Sequence, residues 1–271
     1  MKPIILFRQS LAEENEIALA NNFFDIVEQR TQCKHNLVIS RYSALPYYQE
    51  LETDLSSLHC KMINTYKQHK WIANFEYYEA LKEYTPETWD EYSFQDCSYD
   101  GPFIVKGKTN SKKFQWNKLM FARTKKDAIH IGCELLSDSM IGCQDIIYRK
   151  YIPLKTLEFG TKGLPFSNEW RLFYLGNKLL SYGYYWSCAS EKIISSIQLS
   201  NKGFILADKI AKIASEYTNF FVIDIAETDK GDWILIEIND GQMSGLSENN
   251  ARVLYGNLKI EMKKKDDIIF G

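Results

Sequence analysis

Two apolar-rich runs, 220–226 and 233–239, read as strands joined by a turn centred on Lys230-Gly231. The glycine supplies the φ > 0 backbone of a tight hairpin turn, and side chains alternate between the two faces of a strand. A turn at those two residues sets Asp224 opposite Glu237 and Val222 opposite Asn239. Asp224, Glu237 and Asn239 then project from one face of the hairpin. Phe221, Ile223, Ile225, Ile234, Ile236 and Ile238 form an apolar surface on the other.

The remaining pattern reads as mixed helix and strand. A strand over 4–7, a helix within 11–29 and a strand over 36–40 suggest a small α/β unit. Residues 41–70 show no clear period. A helix over 74–84 stops at Thr85-Pro86. Gly101-Pro102 introduces a strand over 103–106, followed by the lysine-rich connection 107–113 and a second strand around 116–122. Thr124 caps a helix over 125–136, and a strand over 145–152 ends at Pro153. Residues 168–186 read as a hairpin turning at Gly176-Asn177. Residues 203–219 read as an amphipathic helix with Phe204, Ala207, Ile210, Ala211, Ala214 and Tyr217 on one side.

Composition mainly excludes. A chain of 271 residues is long enough for one or two domains, and a net charge of −2 gives no electrostatic case for nucleic acid or an anionic membrane. No apolar run approaches the roughly 18 residues of a spanning helix, and the apolar start is too short for a signal peptide. The six cysteines form no Cys-x-x-Cys pair, and the four histidines show no metal-ligand spacing. That argues against zinc and against a disulfide framework, and fits free thiols in a reducing cytoplasm. What stands out is two acids facing each other, which repel unless a cation lies between them. Two carboxylates and a carboxamide form an oxygen set suited to Mg²⁺.

On Asp224, Glu237 thirteen residues later and Asn239 two further on, the chain resembles the ATP-grasp superfamily. The resemblance covers roughly residues 70–262. It implies an α/β (α+β) fold, with two α+β subdomains clasping ATP behind a small N-terminal α/β domain. The expected divisions are 1–70, 71–152 and 153–271. It implies that Asp224, Glu237 and Asn239 hold Mg²⁺ bridging the ATP phosphates, and that Lys106 reaches those phosphates. The next loop has Gly107 as its only glycine, a departure from the common glycine-rich cover. Lys112 or Lys113, the former preferred, would substitute there, as in the clade named after an arginine and two lysines. Arg171 looks like that clade's arginine, with a pairing to Glu169 or another acid as the alternative. Lys150, Tyr151 and Ile152 fall where the family's adenine-contacting hinge lies, although many hinges carry an acid where Lys150 stands. Tyr182, Tyr184, Tyr185 and Trp186 could line a substrate groove or simply pack.

The implied activity is ATP- and Mg²⁺-dependent ligation of a carboxylate to an amine acceptor, in the cytoplasm. It passes through an acylphosphate and releases ADP and phosphate. Three rivals compete. A restriction-type nuclease wants a lysine where Asn239 stands. A phosphotransferase acting on a hydroxyl would keep the fold, and a non-catalytic nucleotide-binding module would have no reason to retain all three oxygen ligands.

Overall fold

The computed structural model describes residues 1–8, 14–139 and 141–270. Strands β1 (Lys2–Phe7), β2 (Asp25–Val27), β3 (Asn36–Arg41) and β4 (Lys61–Met62) form a parallel sheet in the order β2-β1-β3-β4. Strands β5 (Thr88–Asp90), β6 (Phe103–Gly107), β7 (Phe121–Ala122) and β8 (Ile146–Lys150) form an antiparallel sheet ordered β5-β8-β6-β7. A short hairpin, β9 (Thr156–Phe159) and β10 (Pro165–Ser167), leads to the largest sheet. This sheet is antiparallel, ordered β12-β11-β13-β14, from β11 (Glu169–Leu175), β12 (Lys178–Tyr184), β13 (Phe220–Glu227) and β14 (Trp233–Asp240).

The β11–β14 sheet is buried on both faces. On one face Leu172, Tyr174, Phe221, Ile223 and Leu235 pack against Ala207, Ile210 and Ala214 of the helix Asn201–Ala214. Ser200 caps that helix by accepting from the Gly203 N–H at 3.3 Å. On the other face Phe173, Phe220 and Val222 join Leu254, Tyr255 and Leu258 of the C-terminal helix Ala251–Phe270. Ile5, Phe7 and Ile39 of the parallel sheet belong to the same core. The second core face explains why Phe220 and Val222 are apolar although they share a side with Asp224.

Several expected elements change. The first helix is only Glu14–Ala20, because Asp25–Val27 leaves it to pair beside β1; the beginning of the expected helix, residues 11–13, lies outside the described residues. The patternless stretch 41–70 holds the helix Tyr48–Ser57, β4 and the start of the helix Tyr66–Ala73. The latter is opened by a Thr65/Gln68 capping box. The helix expected over 74–84 is instead Tyr77–Leu81, separated from Tyr66–Ala73 by Phe75 at φ 64°. That left-handed backbone cannot continue a helix. The strand expected over 116–122 is mostly the helical turn Trp116–Leu119, and only Phe121–Ala122 pair with β6. Thr124 caps the helix Lys125–Leu136 as expected, reciprocally with Asp127.

The central hairpin keeps its predicted register at the functional end. Asp224 lies opposite Glu237, and Val222 opposite Asn239. Toward the turn, a bulge between Asp224 and Ile225 shifts the pairing, so Ile225 faces Leu235. The extra residue reverses the alternation: Leu235 enters the core, whereas Ile234 and Ile236 turn out to line a cavity. The turn spans Thr228 to Asp232, with Gly231 at φ 83°.

Candidate functional site

Three neighbouring strands bring the charges together. Arg171 on β11 is directly opposite Asp224 on β13, which is opposite Glu237 on β14. Arg171 Nε donates to Asp224 Oδ1 at 2.9 Å and Nη2 to Oδ2 at 2.7 Å, a two-pronged pair with no exposure of the aspartate. Of the alternative pairings for Arg171, the structure therefore selects Asp224 and not Glu169. Its Nη1 donates to the Gly245 carbonyl at 2.9 Å. The segment carrying that carbonyl crosses β12 where the strand has no side chain. A Cβ on Gly183 would lie 2.3 Å from Glu248 C and 2.4 Å from Asn249 N.

The Asn239 amide links the two acids, donating to Glu237 Oε1 at 2.9 Å and to Asp224 Oδ2 at 3.3 Å. Lys106, at the end of β6, reaches across from the neighbouring sheet and pairs with Glu237 Oε2. Burial works to raise the Glu237 carboxyl, but Lys106, Asn239 and Arg171 outweigh it and hold it down at about 2. Burial raises the Asp224 carboxyl, and Arg171 opposes that rise. Among the described residues no group of three His, Cys, Asp or Glu side chains could hold a metal. The oxygen set here is instead two carboxylates and an amide, which fits a hard cation that keeps waters and phosphate oxygens in its shell.

Glu169, two residues before Arg171 and on the same face, is 5% exposed. Burial first, then the nearby Asp224, push its carboxyl up to about 8, against Lys113. The unfolded chain releases this proton near the ordinary value of 4.5, whereas the native state keeps it to about 8. The raised group therefore stabilises the native state fully at low pH and progressively less as pH rises through that interval. Glu169→Gln is expected to remove the slope. Melting curves of the two proteins should diverge between pH 5 and 8, the wild type losing on the order of a few kcal/mol relative to the variant. Parallel curves would place Glu169 in contact with water.

Two cavities meet at this cluster. The first is apolar, walled by Ile104 and Met120 on one side and Ile234 and Ile236 on the other, with Lys150, Tyr151 and Ile152 along its edge. The second, of about 300 Å³, is lined by Arg171, Asn239 and Asp240 together with His69 and Ser43 from the N-terminal part. Lys106, Lys113, Tyr185 and Glu237 line both. Lys113 Nζ donates to the Tyr185 hydroxyl at 2.9 Å and sits 4.5 Å from the centre of its ring, while Arg171 covers the same ring at 4.8 Å. Lys112 pairs with Asp138 at 2.5 Å and lines neither cavity. Of the two lysines, Lys113 is therefore the one at the cluster. Tyr185 and Trp186 line the first cavity, whereas Tyr184 is buried in the core and Tyr182 is 47% exposed against Phe204.

Sequence reasoning passed over Arg149. It is 5% exposed, lines the first cavity, and donates to the Ile236 carbonyl and, at 3.1 Å, to Thr88 Oγ1. Its Nη2 has no hydrogen bond among the described residues. An arginine in phase with Ile147 on a buried strand was the available signal, since a buried guanidinium needs partners. Among the described residues, no helix is long and apolar enough to cross a membrane.

Comparisons with known proteins agree with this architecture. D-cycloserine synthetase DcsG superposes with a TM-score of 0.62 over 96% of this chain and 99% of that one, at 10% identity. The D-alanine–D-alanine ligase of Bacillus anthracis, solved with ATP, gives 0.59 over 98% and 99% at 12% identity. The ligase PsnB with its minimal precursor gives 0.56 over 96% and 99% at 9% identity. At such identities the likeness is one of fold. No curated protein sequence matches. The family model for the ATP-grasp domain of the R2K clade, family 3, matches residues 93–258, well over half of the chain. The protein belongs to that ATP-grasp family.

Proposed function

We propose that this chain is an ATP- and Mg²⁺-dependent ligase that joins a carboxylate to an amine. The observation that carries the reading is the shared wall. An apolar cleft and a polar cavity share Lys106, Lys113, Tyr185 and Glu237 in their linings. A triphosphate tail leaving the cleft would end at the wall, where a carboxylate in the second cavity can meet its terminal phosphorus. That carboxylate oxygen bonds to phosphorus as ADP leaves, giving an acylphosphate. The amine nitrogen then bonds to the acyl carbon, phosphate departs, and the nitrogen loses a proton. The protein must counter anionic charge gathering at the transferring group. Lys106, Lys113 and Arg171 bring cations to that wall, and Asp224, Glu237 and Asn239 would hold Mg²⁺. The bound metal would supply further charge neutralisation. Lys150, Tyr151 and Ile152 would bound the adenine.

The similarity to a D-alanine–D-alanine ligase, a cycloserine synthetase and a ligase solved with a precursor peptide favours small amino compounds or peptides as substrates. Thermal unfolding tests the nucleotide site first. Mg-ATP at about 100 times its Kd stabilises by about 2.7 kcal/mol, which at 2–4 °C per kcal/mol raises the wild-type Tm by roughly 5–10 °C. Glu237→Gln should lose most of the magnesium-dependent part of that shift. No shift with Mg-ATP in the wild type would sink the ligase reading.

A further inference from the structure

The second cavity contains a histidine that the reaction scheme above does not use. His69 lies in the helix Tyr66–Ala73, 3% exposed, and its ring faces that of Tyr48 at 4.0 Å with 2° between planes. Its Nδ1 is 3.1 Å from Asp240 Oδ2. The other oxygen, Asp240 Oδ1, accepts from Asn64 Nδ2 at 3.0 Å and from the Gln242 backbone N–H at 2.9 Å. Asn64 is fixed in turn, accepting from the Phe220 N–H at 2.9 Å and donating to the Phe220 carbonyl at 2.7 Å. Gln242 donates to the Tyr48 hydroxyl at 2.6 Å.

This arrangement orients the ring. Asp240 accepts from two N–H donors on Oδ1 and leaves Oδ2 facing His69 Nδ1, a geometry in which the ring donates from Nδ1. The lone pair is then on Nε2, which has no hydrogen bond among the described residues although the residue lines the cavity. An imidazole held at Nδ1 by a buried acid, in a residue that lines the cavity, is an oriented candidate for accepting a proton on its other nitrogen. Tyr48 adds no competing charge at neutral pH, since burial, then Asp240, push its phenol far up. The charged groups lining the same cavity are Lys106, Lys113, Arg171, Glu237 and Asp240. The cations draw anions, and the proton carried by an incoming ammonium needs somewhere to go.

We propose that His69, positioned by Asp240, binds the acceptor in the second cavity as its ammonium and takes that ammonium's proton through Nε2, freeing the amine for amide formation. The proposal rests on the ligase reading and adds the amine subsite to it. The acceptor's ammonium gives one proton to Nε2 and becomes the nucleophilic amine. The nitrogen–carbon bond then forms, the acyl carbon–oxygen bond to phosphate breaks, and phosphate leaves with that electron pair and takes up the nitrogen's second proton. His69 has no part in transferring the phosphoryl group.

The test separates the two half-reactions. Wild type and His69→Gln are incubated with Mg-ATP and a pool of the twenty amino acids as carboxylate donors. One series receives hydroxylamine, a free base at neutral pH, and the other glycinamide, largely an ammonium there. His69→Gln is expected to form hydroxamate and ADP within about threefold of wild type, while its glycinamide product falls about 100-fold, the low end for a general base. The fall should lie in kcat more than in KM for glycinamide. Independently, ¹⁵N spectra of histidine-labelled wild type, assigned with the variant, should show His69 with its proton on Nδ1. Equal losses with both nucleophiles, no loss with glycinamide, or a proton on Nε2 would each overturn the proposal. Wild type that forms neither ADP nor hydroxamate would instead remove the ligase reading, and this inference with it.

Discussion

Arg171→Met is expected to lower the melting temperature by about 6–20 °C and to abolish ATP turnover. The guanidinium satisfies both oxygens of a fully buried Asp224 and ties the segment at Gly245 to the sheet. Removing one partner of a buried pair costs about 3–5 kcal/mol, because the other charge is left without compensation. In a chain of this size each kcal/mol is worth about 2–4 °C. The pH dependence has a definite sign. Burial raises the Asp224 carboxyl and Arg171 opposes that rise, so the variant leaves burial less opposed. A carboxyl raised in the native state is protonated there while the unfolded chain has already ionised, so its stabilising contribution is lost as pH rises. The deficit should therefore be smaller at pH 5.5 than at pH 8 in paired melting curves. A loss below about 1 kcal/mol, constant with pH, would mean that Asp224 finds another partner or water.

Lys106→Met should reduce ATP turnover by about 10²–10³-fold, the usual effect of removing one donor aimed at developing charge. The informative part is what happens to the metal. Lys106 is paired with Glu237 Oε2, on an acid that would also hold Mg²⁺, so the ammonium and the metal would compete for that carboxylate. Calorimetric titration with Mg²⁺ alone should show equal or tighter binding in the variant, even as turnover falls. Weaker magnesium binding together with lower turnover would instead make Lys106 a brace that shapes the acid cluster.

The facing acids were legible because strand alternation and a glycine turn are local signals, and the register at Asp224 and Glu237 came out as read. The bulge next to them was not legible. Ile234, Leu235 and Ile236 are consecutive apolar residues, so either alternation offers the core a suitable side chain. Only tertiary packing chooses Leu235 for the core and leaves the two isoleucines for the cleft. The Arg171–Asp224 pair arises where β11 and β13 meet across an intervening strand and two helices, and no turn announces it. Lys112 and Lys113 differ by one position in an irregular loop, where no period says which faces inward. His69 was hidden for the same reason, since its partner Asp240 is 171 residues away. Phe75 was unreadable in another sense, because nothing in its side chain signals the left-handed backbone it adopts.

The C-terminal helix Ala251–Phe270 sits in one core with β11 and β13 and also with Ile5, Phe7 and Ile39 of the first sheet. The opening segment and the β11–β14 sheet therefore share one core. An exchange of residues 1–70 between relatives would bring a foreign surface against this helix as well as new residues into the second cavity. A change in the cavity lining contributed by this segment would therefore be tied to a change in packing, and the unit that would have to diverge as a whole is the leading sheet with the helix Ala251–Phe270 that packs against it.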